Sequence, residues 1–149
     1  MILTIHLLTG AALGQKIHPF GLALILAFFS HYALDFLPHS HEYSVKRIKE
    51  KKWHSAGFDF LKVGLDLIIG LTIIFLIIGL KLAVYETAFL AILADGLTFL
   101  SLICDNHLLR LHEAFHRRVH FLRKWPIPSG VKFFIELTVL VVAIYFLAD

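Results

Sequence analysis

Charged side chains are scarce in this sequence. Asp, Glu, Lys and Arg together make up 17% of its 149 residues, whereas soluble globular domains average about 25%. Cysteine is nearly absent as well, and the single Cys104 excludes an internal disulfide. In contrast, 58% of the residues are hydrophobic. This composition excludes an ordinary soluble domain and predicts a small helical protein that crosses a membrane several times.

The hydrophobic residues form five segments, which cover residues 2–14, 20–37, 58–80, 84–104 and 131–147. At about 1.5 Å per residue, the first is too short to cross a bilayer unless it is tilted or re-entrant, and the other four are long enough to span. No internal repeat or low-complexity linker separates them. We therefore predict an all-α bundle that forms a single integral-membrane domain over residues 1–149, with four full spans, a short N-terminal helix and an amphipathic surface helix.

Lysine and arginine are distributed unevenly between the two sides that this topology creates. With five crossings, the basic run at residues 46–52 and the stretch at 110–124 face the same compartment, and 12 of the 14 Lys and Arg residues lie on that side. Loops rich in Lys and Arg stay in the cytoplasm. We therefore expect a plasma (inner) membrane protein with a cytoplasmic N-terminus and an outer C-terminus. Its net charge of +3 is explained by this topology and not by nucleic-acid binding.

Ionisable side chains occur inside the apolar segments, where each is costly unless it is paired. Helical rise places five of them in the cytoplasmic half of the membrane, and we call them the buried layer: His6, His31, Asp35, Asp66 and Asp95. His31 and Asp35 are spaced i, i+4 and lie on one helical face. Imidazole and carboxylate are ligands of zinc and other divalent first-row ions. The buried layer therefore predicts a metal or proton site, although helix packing also explains Asp66 or Asp95 taken alone.

A second histidine motif lies in the polar stretch between the last two spans. His112-Glu-Ala-Phe-His116 matches H-E-x-x-H, the zinc-protease motif in which two histidines bind zinc and the glutamate acts as base. However, apolar residues at three- and four-residue spacing predict an amphipathic helix on the inner leaflet over residues 106–123. His112, His116 and His120 form one stripe on that helix. The stripe leaves three interpretations open: a surface helix, a membrane metalloprotease, or a His-lined lid over the buried layer.

Two stretches near the N-terminus resemble a known family. Ser30-His-Tyr-Ala-Leu-Asp-Phe-Leu-Pro-His39 resembles the S-H-x-x-x-D stretch of the membrane-bound metal-dependent hydrolases, a family loosely similar to zinc-dependent phospholipase C. Ile5-His-Leu-Leu-Thr-Gly10 resembles the early His-containing apolar segment of that family. The resemblance implies that the metal ligands are His6, His31 and Asp35, with His39 as a fourth.

His39 and His41 directly follow the proline that ends the second apolar segment, and His39 lies two helical turns from His31. Spacing therefore also makes His39 a candidate ligand, whereas we expect His41 to be exposed to solvent. The P-D-x-D-H and T-H-S elements of the hydrolase family do not occur in this sequence. By their depth, Asp66 and Asp95 could take the place of the missing carboxylates.

These features favour an integral-membrane metal-dependent hydrolase that acts on a phospholipid or another lipid phosphoester from the cytoplasmic side. The buried layer would hold one or two divalent ions, preferably zinc, and Asp66 or Asp95 would act as general base. Arg110, Arg117 and Arg118 would hold the phosphate. The alternatives are a non-catalytic ion-binding or transport protein that uses the same cluster, and a structural membrane protein with a metal staple. Membrane lipids are the expected partners.

Overall fold

The computed structural model describes residues 1–39, 53–120 and 126–149. The basic run at 46–52 and His41 lie outside these residues. Six helices follow one another along the described chain: α1 (Leu3–Lys16), α2 (Phe20–Phe36), α3 (Trp53–Ile78), α4 (Leu82–Ile103), α5 (His107–Val119) and α6 (Ser129–Ala148). No strand occurs in the described ranges, so the predicted all-α fold is confirmed for them.

Among the described residues, three helices are long and apolar enough to cross a membrane, over Gly57–Ile78, Leu82–Ser101 and Ser129–Ala148. They fit a membrane protein, and in the part of the chain that the structure describes they are fewer than the four full spans predicted. α2 has 17 residues, which span about 26 Å and fall short of the roughly 30 Å hydrocarbon core. Prolines limit α2 at both ends, because Pro19 is its N-cap and Pro38 disfavours helical geometry at Leu37.

α1 lies at the centre of the bundle, in contact with α2, α3, α4 and α6. A helix that is apolar on all faces is expected to be buried, and most residues of α1 are buried. Leu7 and Leu8 pack with Ile74 of α3, Ala88 of α4 and Leu147 of α6 in one hydrophobic core. The predicted short N-terminal helix is therefore the element around which the longer helices pack.

Small residues bring α1 and α4 into close contact. A Cβ added at Gly10 would lie 2.6 Å from both the Ala91 Cβ and the Thr87 carbonyl oxygen, and one added at Gly14 would meet the Thr87 hydroxyl. Gly10 and Gly14 are four residues apart, the spacing by which small residues let membrane helices approach closely. This packing also sets the backbone of Ala91 beside α1.

Asp66 of α3 caps the N-terminal end of α1. Its side-chain oxygens accept hydrogen bonds from Leu3 N at 2.6 Å and Thr4 N at 3.3 Å, and the Thr4 hydroxyl donates to the same carboxylate. The first amides of a helix have no partner within the helix, and Ile2, the N-cap of α1, makes no side-chain capping bond. Asp66 therefore supplies, from a neighbouring helix, the acceptor that α1 itself lacks.

Polar contacts show which helix ends lie together. Lys16 Nζ lies 2.8 Å from Asp149 Oδ2, so the C-terminal ends of α1 and α6 share one end of the bundle. At the other end of α1, the Met1 nitrogen donates to Asp35 Oδ1 at 2.9 Å. The N-terminal end of α1 therefore lies beside the C-terminal end of α2.

Candidate metal centre

Asp35 lies at the centre of the site. It occupies the last turn of α2 and is 2% exposed. Its two oxygens lie within 3.4 Å of the Nε2 atom of four histidines: His6 (3.2 Å), His31 (3.1 Å), His116 (3.0 Å) and His120 (3.4 Å). These histidines come from α1, α2 and the C-terminal end of α5, so three helices converge on one carboxylate.

A hydrogen bond at Nδ1 of His31 orients the other ring nitrogen, Nε2, towards Asp35. Its Nδ1 donates to the Ala91 carbonyl oxygen of α4 at 2.8 Å. Because a carbonyl only accepts, this bond places the proton of the neutral ring on Nδ1 and leaves a lone pair on Nε2. Nε2 lies 3.1 Å from Asp35 Oδ2 and 3.1 Å from His116 Nε2. The close packing at Gly10 thus positions the carbonyl that orients His31.

His116 reaches the site from α5 and is oriented by α4. Its Nδ1 lies 2.9 Å from the Thr98 hydroxyl, and its Nε2 lies 3.0 Å from Asp35 Oδ2. His116 is 5% exposed, although α5 lies at the surface of the bundle. Histidines that bind metals are usually held in this way, by a hydrogen bond at the nitrogen that does not contact the ion.

Four side chains could hold a metal ion together: His31, Asp35, Asp95 and His116. Their ligand atoms all lie within 4.8 Å of one another. Three of these atoms form a triangle. His31 Nε2 lies 3.1 Å from His116 Nε2 and 3.1 Å from Asp35 Oδ2, and His116 Nε2 lies 3.0 Å from Asp35 Oδ2. Ligands about 2.05 Å from a tetrahedral ion lie about 3.3 Å from one another, so the triangle is slightly smaller than the one that such an ion requires.

The charges at this metal group also favour a cation. Asp95 Oδ1 lies 3.6 Å from His31 Nε2 and 4.0 Å from His116 Nε2, and Asp35 contacts both histidines. Two carboxylates in one site repel each other unless a proton or a cation lies between them. The Met1 ammonium pairs with Asp35 Oδ1 at 2.9 Å, and a divalent ion would bind both imidazole nitrogens and offset the remaining carboxylate charge. Two imidazoles and two carboxylates are donors that divalent first-row metals accept.

The structure brings four residues of the buried layer together. His31, Asp35 and Asp95 belong to the metal group, and the His6 ring stacks on the His31 ring with 4.2 Å between centroids. Within the described ranges, the metal group does not include Asp66, whose carboxylate caps α1. The prediction that Asp66 binds a metal or acts as base therefore gains no support from its position.

The structure also places His39, predicted as a further ligand, in the cluster. The residue is 1% exposed, its Nδ1 donates to the Leu37 carbonyl oxygen at 2.8 Å, and its ring meets that of His120 with 5.3 Å between centroids. Burial lowers the pKa of His39, and burial lowers the pKa of His120 to about 4. Both rings are therefore neutral at neutral pH, the form in which imidazole binds a metal.

The histidine stripe of α5 faces the bundle. His116 and His120 contact Asp35, and His112 Nε2 lies 2.9 Å from the Tyr32 hydroxyl of α2. Apolar side chains of the same helix are exposed instead, namely Leu108 (71%), Leu111 (61%) and Phe115 (54%). Of the three interpretations drawn from the sequence, this arrangement fits a His-lined lid whose outer face is apolar.

The two histidines of the H-E-x-x-H motif have different partners. His116 contacts Asp35, whereas His112 contacts Tyr32. The Glu113 carboxylate lies 3.9 Å from Arg117 one turn later in α5. In a zinc-protease helix, both histidines would bind the same ion. The contacts of α5 therefore favour a metal centre around Asp35 over one built on the H-E-x-x-H motif.

Periodicity alone did not identify His116 and His120 as neighbours of Asp35. The four-residue spacing places both on the stripe with His112, but only the packing of α5 shows what the stripe faces. The packing depends on a short connection, because three residues separate α4 from α5. The last of them, Asn106, caps α5 by accepting a hydrogen bond from Leu108 N at 2.8 Å. A short connection followed by a capping residue indicates that α5 folds back against α4.

Comparison with known protein families, with curated proteins and with solved structures gives no match for the chain. The chemistry of the metal group therefore carries the functional argument.

Proposed function

We propose that the protein is an integral-membrane metal-dependent hydrolase that acts on a phospholipid or another lipid phosphoester from the cytoplasmic side. The observation that carries the proposal is the group of His31, Asp35, Asp95 and His116, whose ligand atoms lie within 4.8 Å of one another. This donor set suits zinc. The resemblance of residues 30–39 to the metal-dependent hydrolases supports the same assignment, because it implies ligand roles for His31 and Asp35.

The four side chains differ in exposure, and we assign them different roles. His31, Asp35 and His116 are buried and would hold the ion. A bound divalent ion supplies Lewis-acid chemistry, since it polarises a phosphoryl oxygen and makes a nearby water more acidic. Asp95 is 38% exposed and lies farther from the two imidazole nitrogens than Asp35 does. Asp95 is therefore the carboxylate at the open edge of the site, and its Oδ1 would accept the proton of the attacking water.

The outer face of α5 supports a lipid substrate. The exposed side chains of Leu108, Leu111 and Phe115 are suited to the acyl region just below a membrane surface. Arg117 and Arg118 of the same helix are also exposed, and a guanidinium group binds phosphate oxygens through paired hydrogen bonds. Because basic stretches stay in the cytoplasm, α5 and the metal group would lie at the cytoplasmic face.

A non-catalytic ion-binding or transport protein is the second candidate, because a buried His and Asp cluster also serves ion binding or proton relay. Transport requires a polar path from the cluster to the opposite end of the bundle. The described core beyond the cluster includes a hydrophobic group with Leu8, Ile74 and Leu147. The buried Thr87 hydroxyl donates to carbonyl oxygens of its own helix, so this part of the core favours the hydrolase. The H-E-x-x-H metalloprotease is the third candidate, and the separate partners of His112 and His116 argue against it.

The first test is the metal content of the detergent-purified protein, measured by mass spectrometry. His116→Ala is compared with His112→Ala, a matched control that removes a histidine from the same stripe. We expect bound metal in the wild type and the same amount in His112→Ala, and less metal in His116→Ala, which removes a histidine from the group. Loss of metal in both His112→Ala and His116→Ala would favour the protease, and absence of metal from every form would overturn the proposal.

The second test is hydrolysis of phospholipids and other lipid phosphoesters by the zinc-loaded protein in mixed micelles. We expect turnover by the wild type and a decrease of at least about 100-fold in Asp95→Asn, the loss expected for a general base. The metal content of Asp95→Asn is measured in parallel, to separate loss of the base from loss of the ion. Stoichiometric metal in the wild type with no hydrolysis of any phosphoester would favour the non-catalytic candidate.

A further inference from the structure

We infer that the same cluster holds a second metal ion, bound by Asp35, His39 and His120. The inference rests on the proposed metal-dependent function and adds a site to it. Each of the three side chains offers one ligand atom, and these atoms lie within 4.8 Å of one another. Asp35 belongs to this second group and also to the first, so the two ions would share one carboxylate.

His39 is oriented for metal binding in the same way as His31. Its Nδ1 donates to the Leu37 carbonyl oxygen at 2.8 Å, which leaves the lone pair of the neutral ring on Nε2. His39 is 1% exposed, yet its Nε2 has no hydrogen-bond partner within residues 1–39, 53–120 and 126–149. Buried polar atoms nearly always have a partner. A metal ion beside Asp35 would provide the partner that this nitrogen lacks.

His120 completes the second group from the end of α5. Its Nε2 lies 3.4 Å from Asp35 Oδ2, and its ring packs edge to face on the His39 ring with 5.3 Å between centroids. His120 is the C-cap of α5 and follows His116 by one turn. One face of α5 therefore supplies a histidine to each ion, which accounts for the four-residue spacing of the stripe.

Asp35 Oδ2 lies between the two groups. It is 3.1 Å from His31 Nε2, 3.0 Å from His116 Nε2 and 3.4 Å from His120 Nε2, while Oδ1 accepts from the Met1 nitrogen at 2.9 Å. A carboxylate shared by two sites holds two ions close together. In enzymes with two catalytic ions, the separation is about 3.5–4 Å.

A second ion would also support the proposed substrate class, a phosphate ester. Two divalent cations together outweigh the negative charge of Asp35 and Asp95, so the loaded site would attract an anionic ester. Paired ions of this kind serve displacement at phosphorus in phosphatases and nucleases. We therefore assign phosphate esters to the site, in preference to uncharged carboxylic esters.

The direct test is the number of ions bound by each chain of the full-length protein in detergent. The protein is loaded with Zn²⁺ or Mn²⁺ and desalted, and the ratio of metal to protein is measured. We expect about two ions per chain in the wild type, one in His39→Ala, and an unchanged ratio in His112→Ala, which removes a histidine that belongs to neither group. A single ion in the wild type, or no decrease in His39→Ala, would overturn the inference.

Electron paramagnetic resonance of the Mn²⁺-loaded protein provides an independent readout. Two Mn²⁺ ions that share Asp35 are magnetically coupled, so we expect a coupled spectrum in the wild type and a single-ion spectrum in His120→Ala or His39→Ala. A single-ion spectrum in the wild type would remove the second site and leave the proposed hydrolase intact. Failure of the wild type to bind either Zn²⁺ or Mn²⁺ would overturn the proposed function itself.

Discussion

Asp35 and Asp66 both contact the start of α1, but they meet different kinds of partner. Asp66 accepts hydrogen bonds from the backbone amides of Leu3 and Thr4. Asp35 is surrounded by the Nε2 atoms of four histidines and by the Met1 nitrogen. A backbone amide always carries its proton and satisfies a carboxylate permanently. A neutral imidazole nitrogen instead presents either a proton or a lone pair, and a lone pair beside a carboxylate is suited to a cation.

This difference shows that the depth of a carboxylate in a membrane bundle does not decide its role. Asp35 and Asp66 fall in the same layer by helical rise, yet one caps a helix and the other joins a metal group. The groups around each carboxylate distinguish the two roles: backbone amides surround Asp66, and imidazole nitrogens surround Asp35. Three pairs of variants test that distinction.

The largest effect is expected from the two aspartates themselves. Asp35→Asn removes the charged ligand that both metal groups share, and we expect the metal affinity to fall by at least about 100-fold. Asp66→Ala should retain the metal and lower the free energy of unfolding by about 1–2 kcal/mol, the cost of a lost helix cap. Metal affinity is measured by chelator competition, and stability by thermal unfolding in detergent. Equal loss of metal in both variants would contradict the separate roles.

A smaller effect is expected from the hydroxyl that orients His116. Thr98→Val keeps the shape of the side chain but removes the contact to His116 Nδ1, and we expect the metal affinity to fall about 10–100-fold. The control is Thr138→Val, because the Thr138 hydroxyl donates to the Phe134 carbonyl oxygen within α6, away from the cluster. An unchanged affinity in Thr98→Val would show that α4 does not orient the histidines around Asp35.

The smallest effect on metal binding is expected from the contact between α1 and α4. Gly10→Ala places a Cβ 2.6 Å from the Thr87 carbonyl oxygen, so the helices must separate, and we expect a loss of about 1–3 kcal/mol of stability. The metal affinity should fall only a few-fold, through displacement of the Ala91 carbonyl that orients His31. Gly64→Ala is the control, because a Cβ there meets nothing within 4 Å. Equal stability of the two variants would show that the contact is looser than the structure indicates.

Composition and helical rise are sufficient to predict the helices and most of the buried layer. Depth along the helices places His6, His31, Asp35 and Asp95 in one layer, and all four lie in or against the metal group. Asp66 shares their depth but points to the start of α1. The rotation of a side chain about its helix axis decides which neighbour it meets, and depth along the helix does not specify that rotation.

The part of the site that α5 supplies could not be predicted from periodicity. An amphipathic pattern shows that one face is polar, but not whether that face meets lipid headgroups or the bundle. In the structure the polar face of α5 meets Asp35 through His116 and His120. The spacing of Gly10 and Gly14 does indicate a close helix contact, and that contact positions Ala91.

The short connection between α4 and α5 means that bound metal would affect how tightly α5 is held. α5 is tethered by three residues at one end, and it supplies His116 and His120 to the two groups that could hold ions. An ion bound there would hold α5 against the bundle. Because a ligand stabilises the state that binds it more strongly as the ligand concentration rises, we expect α5 to be held less tightly when metal becomes scarce.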